Sequence, residues 1–105
     1  MLRLWIHRIK PGKEDRLRGW LFELNTRADE VRESFQLSGV RAEQAVVVDT
    51  PDGGLLVYAS EADYHGYAEF AFGESKQPID IEHRVVMDEC IEMTFDSTPL
   101  YNVSL

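Results

Sequence analysis

The run PIDIEHR, Pro78 to Arg84, sets a histidine three residues behind one carboxylate and directly behind another. At that spacing Asp80 and His83 are neighbours on a helix surface. The carboxylate can hold the imidazole in one tautomer, and the pair can move a proton near neutrality, where an unperturbed imidazole titrates at about 6.5. A structural reading competes with this one. With Pro78 at the first helical position, Asp80 falls in the first turn, where a carboxylate accepts free backbone N–H groups and complements the helix dipole. His83 then shares a face with Ile79, Val86 and Cys90, as a histidine at the edge of a core would. Glu82 lies about 100° round the helix from His83 and is expected in solvent or against a Lys or Arg. Trp5 and His7, two apart in an alternating run, form a second candidate set. They project side by side and either pack an interface or line a ligand pocket, with Tyr58 as a hydrogen-bonding companion.

Other chemistries are poorly served. A metal would need His7, His65 and His83 to converge with Glu43 or Asp80 from distant segments, and no two of these histidines have the spacing of a helical ligand pair, so no metal is expected. His65, among tyrosines, reads as a surface or packing residue. PDGG joins two extended runs and KPGK lacks the further glycines of a phosphate loop, so no nucleotide cofactor is expected. Cys90 is the only cysteine, and it stands among Asp88, Glu89 and Glu92. That setting disfavours a thiolate and suits a small buried hydrophobe.

The elements that must position these residues follow from periodicity. Leu2 to Ile9 alternates as a strand, with Leu2, Leu4 and Ile6 on one face and Trp5, His7 and Ile9 on the other. After the KPGK turn, Leu17, Trp20, Leu21, Leu24, Ala28, Val31 and Phe35 recur at helical spacing as far as Leu37. One long amphipathic helix is predicted there, ended by Gly39, with Trp20 in its core stripe and Arg27 and Glu30 on its charged face or over the sheet edge. The segment containing AVVVD and the segment LLVYAS form a hairpin through PDGG. Ser60 and Asp63 are placed to cap a helix over about Glu61 to Phe72. Pro78 opens a further helix through Ile91, and Glu92 to Asp96 returns to alternation. Residues 97–105 read as a tail or a short extra strand.

This order is that of an α+β, ferredoxin-like βαββαβ domain spanning residues 1–105, with an antiparallel sheet and helices on one face. Leu2, Leu4 and Ile6 are expected to meet the helices, leaving Trp5, His7 and Ile9 on the bare face. A bare apolar face predicts a homodimer in which two sheets pack face to face and enclose a cavity in each subunit or between subunits.

The 105 residues carry a formal net charge of −8, with 44% apolar and 29% charged residues. No basic stripe is available for a phosphate backbone and no apolar run reaches the length of a membrane span, so neither nucleic acid nor membrane is an expected partner. The N-terminal stretch lacks the features of a signal peptide, and a cytoplasmic location is expected.

IKPGKEDRLRGW, LRGWLFELNTRADEVRESF, a Gly-Val followed by an acid at Glu43, LVYASEAD and PIDIEHR together give the chain a resemblance to the dimeric α/β-barrel superfamily, the ferredoxin-like group of the antibiotic-biosynthesis monooxygenases. Within it, the chain resembles a bacterial family of dimeric-barrel domains with no assigned function. The resemblance implies the fold and the dimer. Members of that superfamily oxidise polyketide-like aromatics without a cofactor, degrade haem, remove chlorite or bind small molecules. The expectation is therefore a protein that binds a small aromatic or polyketide-like compound, or acts on it without a cofactor. His83 and Asp80 are the proton-transfer pair, and Trp5, His7 and Tyr58 line the pocket. The rival is a non-catalytic dimerisation or protein-interaction module.

Overall fold

The structure, a computed structural model, describes residues 1–105. Strand β1 (Leu2–Ile9) is followed by helices α1 (Glu14–Thr26) and α2 (Ala28–Ser38), then by the hairpin of β2 (Val40–Thr50) and β3 (Gly53–Ala62). Helices α3 (His65–Glu74) and α4 (Pro78–Cys90) lead to β4 (Ile91–Thr94). The four strands form one antiparallel sheet in the order β2-β3-β1-β4, so the first strand lies inside the sheet and the last at its edge. This α+β arrangement is compatible with the ferredoxin-like fold.

Register fixes which side chains share a face. Trp5 stands opposite Tyr58, and Tyr58 opposite Ala45; His7 stands opposite Leu56, and Leu56 opposite Val47. These residues lie on the helix-covered side. There Ile9, Leu56 and Tyr58 join Leu17 and Trp20 of α1 and Ile79, Val86 and Cys90 of α4 in one buried cluster, with Trp5 packed against it. Helix α1 packs on α4 and α2 on α3, so the helices form a layer over the sheet. The sheet faces are thus the reverse of the expected ones. Leu2 and Leu4 are 54% and 44% exposed on the open side, while Trp5 and Ile9 lie under the helices. Alternation tells which residues travel together but not which set is covered, and in β1 both sets are apolar. A chamber between two sheets lined by Trp5 and His7 is therefore ruled out.

Two local expectations are also corrected. The predicted long helix breaks at Arg27, whose backbone (φ −115°, ψ 32°) ends α1 and starts α2. Asn25 and Thr26 are weak helix formers, the Thr26 hydroxyl bonds back to the Glu23 carbonyl, and Asp29 and Glu30 favour a fresh helix start. The apolar stripe continues across the break because both helices bury the same side. Second, Ser60 does not cap a helix: it stays in β3 and is buried, while Asp63 pairs with Arg41 at 2.7 Å. Strand pairing on both flanks of β3 holds the chain extended to Ala62, so α3 starts only at His65. Of the two forms expected for the last nine residues, the structure shows no strand and leaves the tail.

Two glycines meet real constraints. Gly39 ends α2 in the left-handed conformation (φ 78°), its N–H bonding the Phe35 carbonyl. Gly54, beside the two-residue hairpin turn, leaves no room for a side chain: a Cβ there would come within 2.8 Å of Glu14 Cγ and 3.3 Å of Ile9 Cδ1. No helix is long and apolar enough to cross a membrane.

Candidate functional site

Between the helix layer and the sheet lies an open cavity of about 470 Å³. That size suits a small organic ligand. Its floor comes from β1 and β3 through Trp5, His7, Tyr58 and Ser60; its walls come from α2, α3 and α4, with Phe35, Phe72 and His83 among them. The candidate residues named from sequence, Trp5, His7, Tyr58, Asp80 and His83, all line this one cavity, although it belongs to a single chain rather than to the space between two sheets.

At its centre His83 is held at both ring nitrogens. Trp20 Nε1 donates to His83 Nδ1 at 2.7 Å, and His83 Nε2 lies 2.9 Å from the Tyr58 hydroxyl. An indole N–H can only donate, so Nδ1 must be the unprotonated nitrogen. The neutral imidazole then carries its proton on Nε2 and donates it to Tyr58 Oη. Tyr58 accepts there and has its own hydroxyl proton left to give, with no protein acceptor in reach. Phe72 and Tyr58 set their ring edges against the imidazole at centroid distances of 5.5 and 6.1 Å, fixing its plane. Burial lowers the His83 pKa to about 4 against a weaker opposing effect of Asp80. Protonation would also set an N–H against the indole N–H of Trp20. Burial likewise raises the Tyr58 phenol far above its usual range, and the nearby charge of Glu43 adds to this. Tyr58 is thus a neutral donor across the working pH range.

The expected Asp80–His83 hydrogen bond is not formed. Asp80 is 5% exposed; its Oδ1 accepts from the Ser34 hydroxyl at 2.7 Å and its Oδ2 from the Ser75 hydroxyl. These bonds tie α4 to α2 and to the α3–α4 connection. Both nitrogens of His83 are engaged by protein, so it acts on a cavity ligand through Tyr58 and not as a free base. Glu82 reaches Arg27 at 2.6 Å, and Arg27 also binds Glu23 and Glu30. The break between α1 and α2 is thereby fastened to α4. His7 Nδ1 lies 2.8 Å from the Thr94 hydroxyl, and burial lowers its pKa. His65 is buried beneath Trp5, with ring centroids 5.3 Å apart, and its Nε2 bonds the Met1 carbonyl. It is a packing residue.

One cavity residue was not anticipated as part of an organic-ligand site. Glu43 of β2 stands opposite Ser60, on the helix-covered face and diagonal to Tyr58. Its side chain is exposed, on the cavity side of the sheet. Desolvation by the surrounding protein raises its pKa to about 7, only partly offset by the Ser60 hydroxyl opposite it, and no cation pairs with it. In sequence Glu43 is one acid in RAEQAVVVD; only the register brings it beside Tyr58. No group of three or more His, Cys, Asp or Glu side chains is placed to hold a metal ion. The Cys90 thiol is buried and pushed up by desolvation and by Glu89.

A model of a family of unknown function, DUF6176, matches residues 1–104. No curated protein and no solved structure matches the chain.

Proposed function

The chain belongs to the family of unknown function DUF6176, and we propose that it is a homodimeric protein of the dimeric α/β-barrel type that binds a small aromatic or polyketide-like molecule in the cavity under its helices. The observation that carries this reading is the Tyr58 hydroxyl, which the Trp20–His83 chain leaves with a free proton in a cavity of about 470 Å³ walled by aromatic rings. A phenol whose oxygen already accepts one hydrogen bond is a stronger donor to a second partner. It suits a ligand carbonyl or phenolate oxygen. Trp5, Phe35 and Phe72 supply apolar walls for the ring, while His7 and His83 stay neutral and add no charge. In this reading His83 positions Tyr58, and Asp80 holds the helix that carries His83. Any reaction is cofactor-free and acid–base in kind.

The dimer is supported by the open face of the sheet. Leu2, Leu4, Val46, Val48 and Met93, each exposed by 42% or more, form an aliphatic surface with Ile6 and Val57 between them. Such a surface is suited to a second sheet. The same face keeps a second reading open, that of a module whose only role is to dimerise or dock to another protein. A cytoplasmic location is part of the proposal, in keeping with a single free thiol.

Calorimetric titration with a panel of small aryl ketones and phenols tests the ligand. Wild type is expected to bind members of the panel, and Tyr58→Phe to bind them about tenfold more weakly through loss of one buried hydrogen bond. A wild-type protein that binds none of them leaves the interaction-module reading standing.

A further inference from the structure

The open side of the cavity holds two groups whose chemistry is complementary. Tyr58 and Glu43 lie on one face of the sheet as diagonal neighbours on adjacent strands, Glu43 opposite Ser60 and Tyr58 two residues before Ser60. Side chains so related stand about 7–8 Å apart at their bases, within joint reach of one small molecule. One offers a neutral O–H with no protein acceptor. The other offers a carboxylate with no protein cation.

We propose that Glu43 and Tyr58 form an acid–base pair that enolises a small neutral ketone bound in the cavity, Glu43 taking a proton from the carbon next to the carbonyl while Tyr58 donates a hydrogen bond to the carbonyl oxygen. The inference rests on the cavity being a small-molecule site, as proposed above. In the forward step the α C–H bond breaks and its proton passes to a Glu43 oxygen. The electron pair forms the C=C bond, and the charge moves to the oxygen that faces Tyr58. Glu43 then returns to the same carbon a proton it has exchanged with solvent, giving exchange, or passes the proton to a conjugated carbon, giving isomerisation. No oxidant, reductant or metal enters. Trp20 and His83 are positioning residues: they orient the Tyr58 oxygen so that its proton points to where negative charge develops.

The other titratable groups of the cavity leave this task to Glu43. His83 has both ring nitrogens engaged, and His7 has Nδ1 on the Thr94 hydroxyl and a pKa lowered by burial, which makes it the weaker base. The Asp80 oxygens are taken by Ser34 and Ser75, and the Arg84 guanidinium by the carbonyls of Phe72 and Ser75. From α3, His65 is spent on Met1; Glu69 of α3 and Asp88 of α4 stand exposed at the rim, as Glu43 does, but neither lies on the sheet face beside Tyr58. From α2 the cavity receives only neutral side chains. Glu43 titrates near neutrality, where a base is most effective. The surplus of acids around the cavity argues against keto acids and for neutral ketones.

The test uses 1-phenylpropan-2-one, whose benzylic α protons are acidic and whose ring matches the aromatic walls. Proton NMR in D₂O follows loss of the α signals, and quenching of tryptophan fluorescence gives the affinity. Wild type is expected to speed exchange above buffer, with a rate that rises with pH and levels off above an inflection near 7. Glu43→Gln is expected to lower the rate about 100-fold and Tyr58→Phe also about 100-fold. Both should remain folded by circular dichroism. Glu43→Asp, which keeps the carboxylate, should restore part of the rate. Ketone that binds without exchanging, or exchange that survives in Glu43→Gln, overturns the inference and leaves the binding site intact. A ketone that neither binds nor exchanges, while other aromatics of the panel bind, overturns it as well. If nothing in the panel binds, both the inference and the ligand site are lost.

Discussion

The two faces of this sheet are built from the same strands at alternate positions, yet they differ in kind. Towards the helices β1 and β3 present Trp5, His7, Tyr58 and Ser60 beside the aliphatic Ile9 and Leu56; towards the open side they present Leu2, Leu4, Ile6, Leu55 and Val57, with Arg8 and Glu61 at the ends. The aromatic and neutral polar groups are on the covered face, and the middle of the open face is aliphatic. A face made only to pack needs area and shape, which aliphatic side chains supply. One that must hold polar groups in low dielectric needs each partner fixed, as Trp20 and Tyr58 fix His83. In the proposed function, association falls to the open face and chemistry to the covered one.

The largest effect should come from charging the open face. Val57 sits between Ile6 of β1 and Val46 of β2, at the centre of that surface. Val57→Glu puts two carboxylates into a sheet-to-sheet contact and is expected to turn a dimer into a monomer in sedimentation velocity, with the cavity still binding ligand. A wild-type protein that sediments as a monomer removes the role of this face altogether. On the covered side, Trp20→Ala should cost about 3–5 kcal/mol in urea unfolding, the range for removing a large buried aromatic. Trp20→Phe should cost less. It nevertheless frees His83 Nδ1, so the imidazole pKa should move up from about 4 towards its usual value, which NMR titration would read. An unchanged imidazole would break the hydrogen-bond account of the site.

Much of this was legible in the sequence. The order of elements follows from periodicity, α4 was placed by Pro78, and the residues of the site were picked out by type. Three things were not. Assigning the covered face needs the helices as well as the strand, because Leu2, Leu4 and Ile6 look more core-like than Trp5 and His7 when only hydrophobicity is weighed. Pairing Asp80 with His83 by helical spacing ignored that two serines, one of them 46 residues away, would claim the carboxylate first. Glu43 joins the site only through the β2–β3 register, and one residue of slip would have put it outside.

Asp80 provides the next comparison, between support and chemistry within one cavity. Ser34→Ala leaves one oxygen of a buried carboxylate without its donor and is expected to cost about 2 kcal/mol of stability. Ligand affinity should stay within about twofold, since the Asp80 oxygens turn to serines rather than to the cavity. A large fall in affinity with little loss of stability would move Asp80 into the ligand site.

The smallest effect is the most specific to the covered face, because two of its groups are shifted in opposite senses. His83 is neutral in the fold down to pH about 4 but protonates near the usual 6.5 when unfolded, so its contribution is present above 6.5 and is lost as pH falls to about 4. Glu43 keeps its proton in the fold up to pH about 7 but releases it near 4.5 when unfolded, so its contribution is present below 4.5 and is lost as pH rises to about 7. Between pH 4.5 and 6.5 the unfolded chain gains one proton relative to the fold at His83, the fold gains one at Glu43, and the two slopes cancel. Glu43→Gln removes only the second. At fixed protein concentration, urea unfolding at pH 4.5, 5.5 and 6.5 should then show stability rising with pH more steeply in the variant than in wild type, by up to about 1 kcal/mol across the window once the solvent exposure of Glu43 is discounted. Parallel curves would mean that Glu43 is an ordinary surface carboxylate, and that chemistry on the covered face ends at Tyr58.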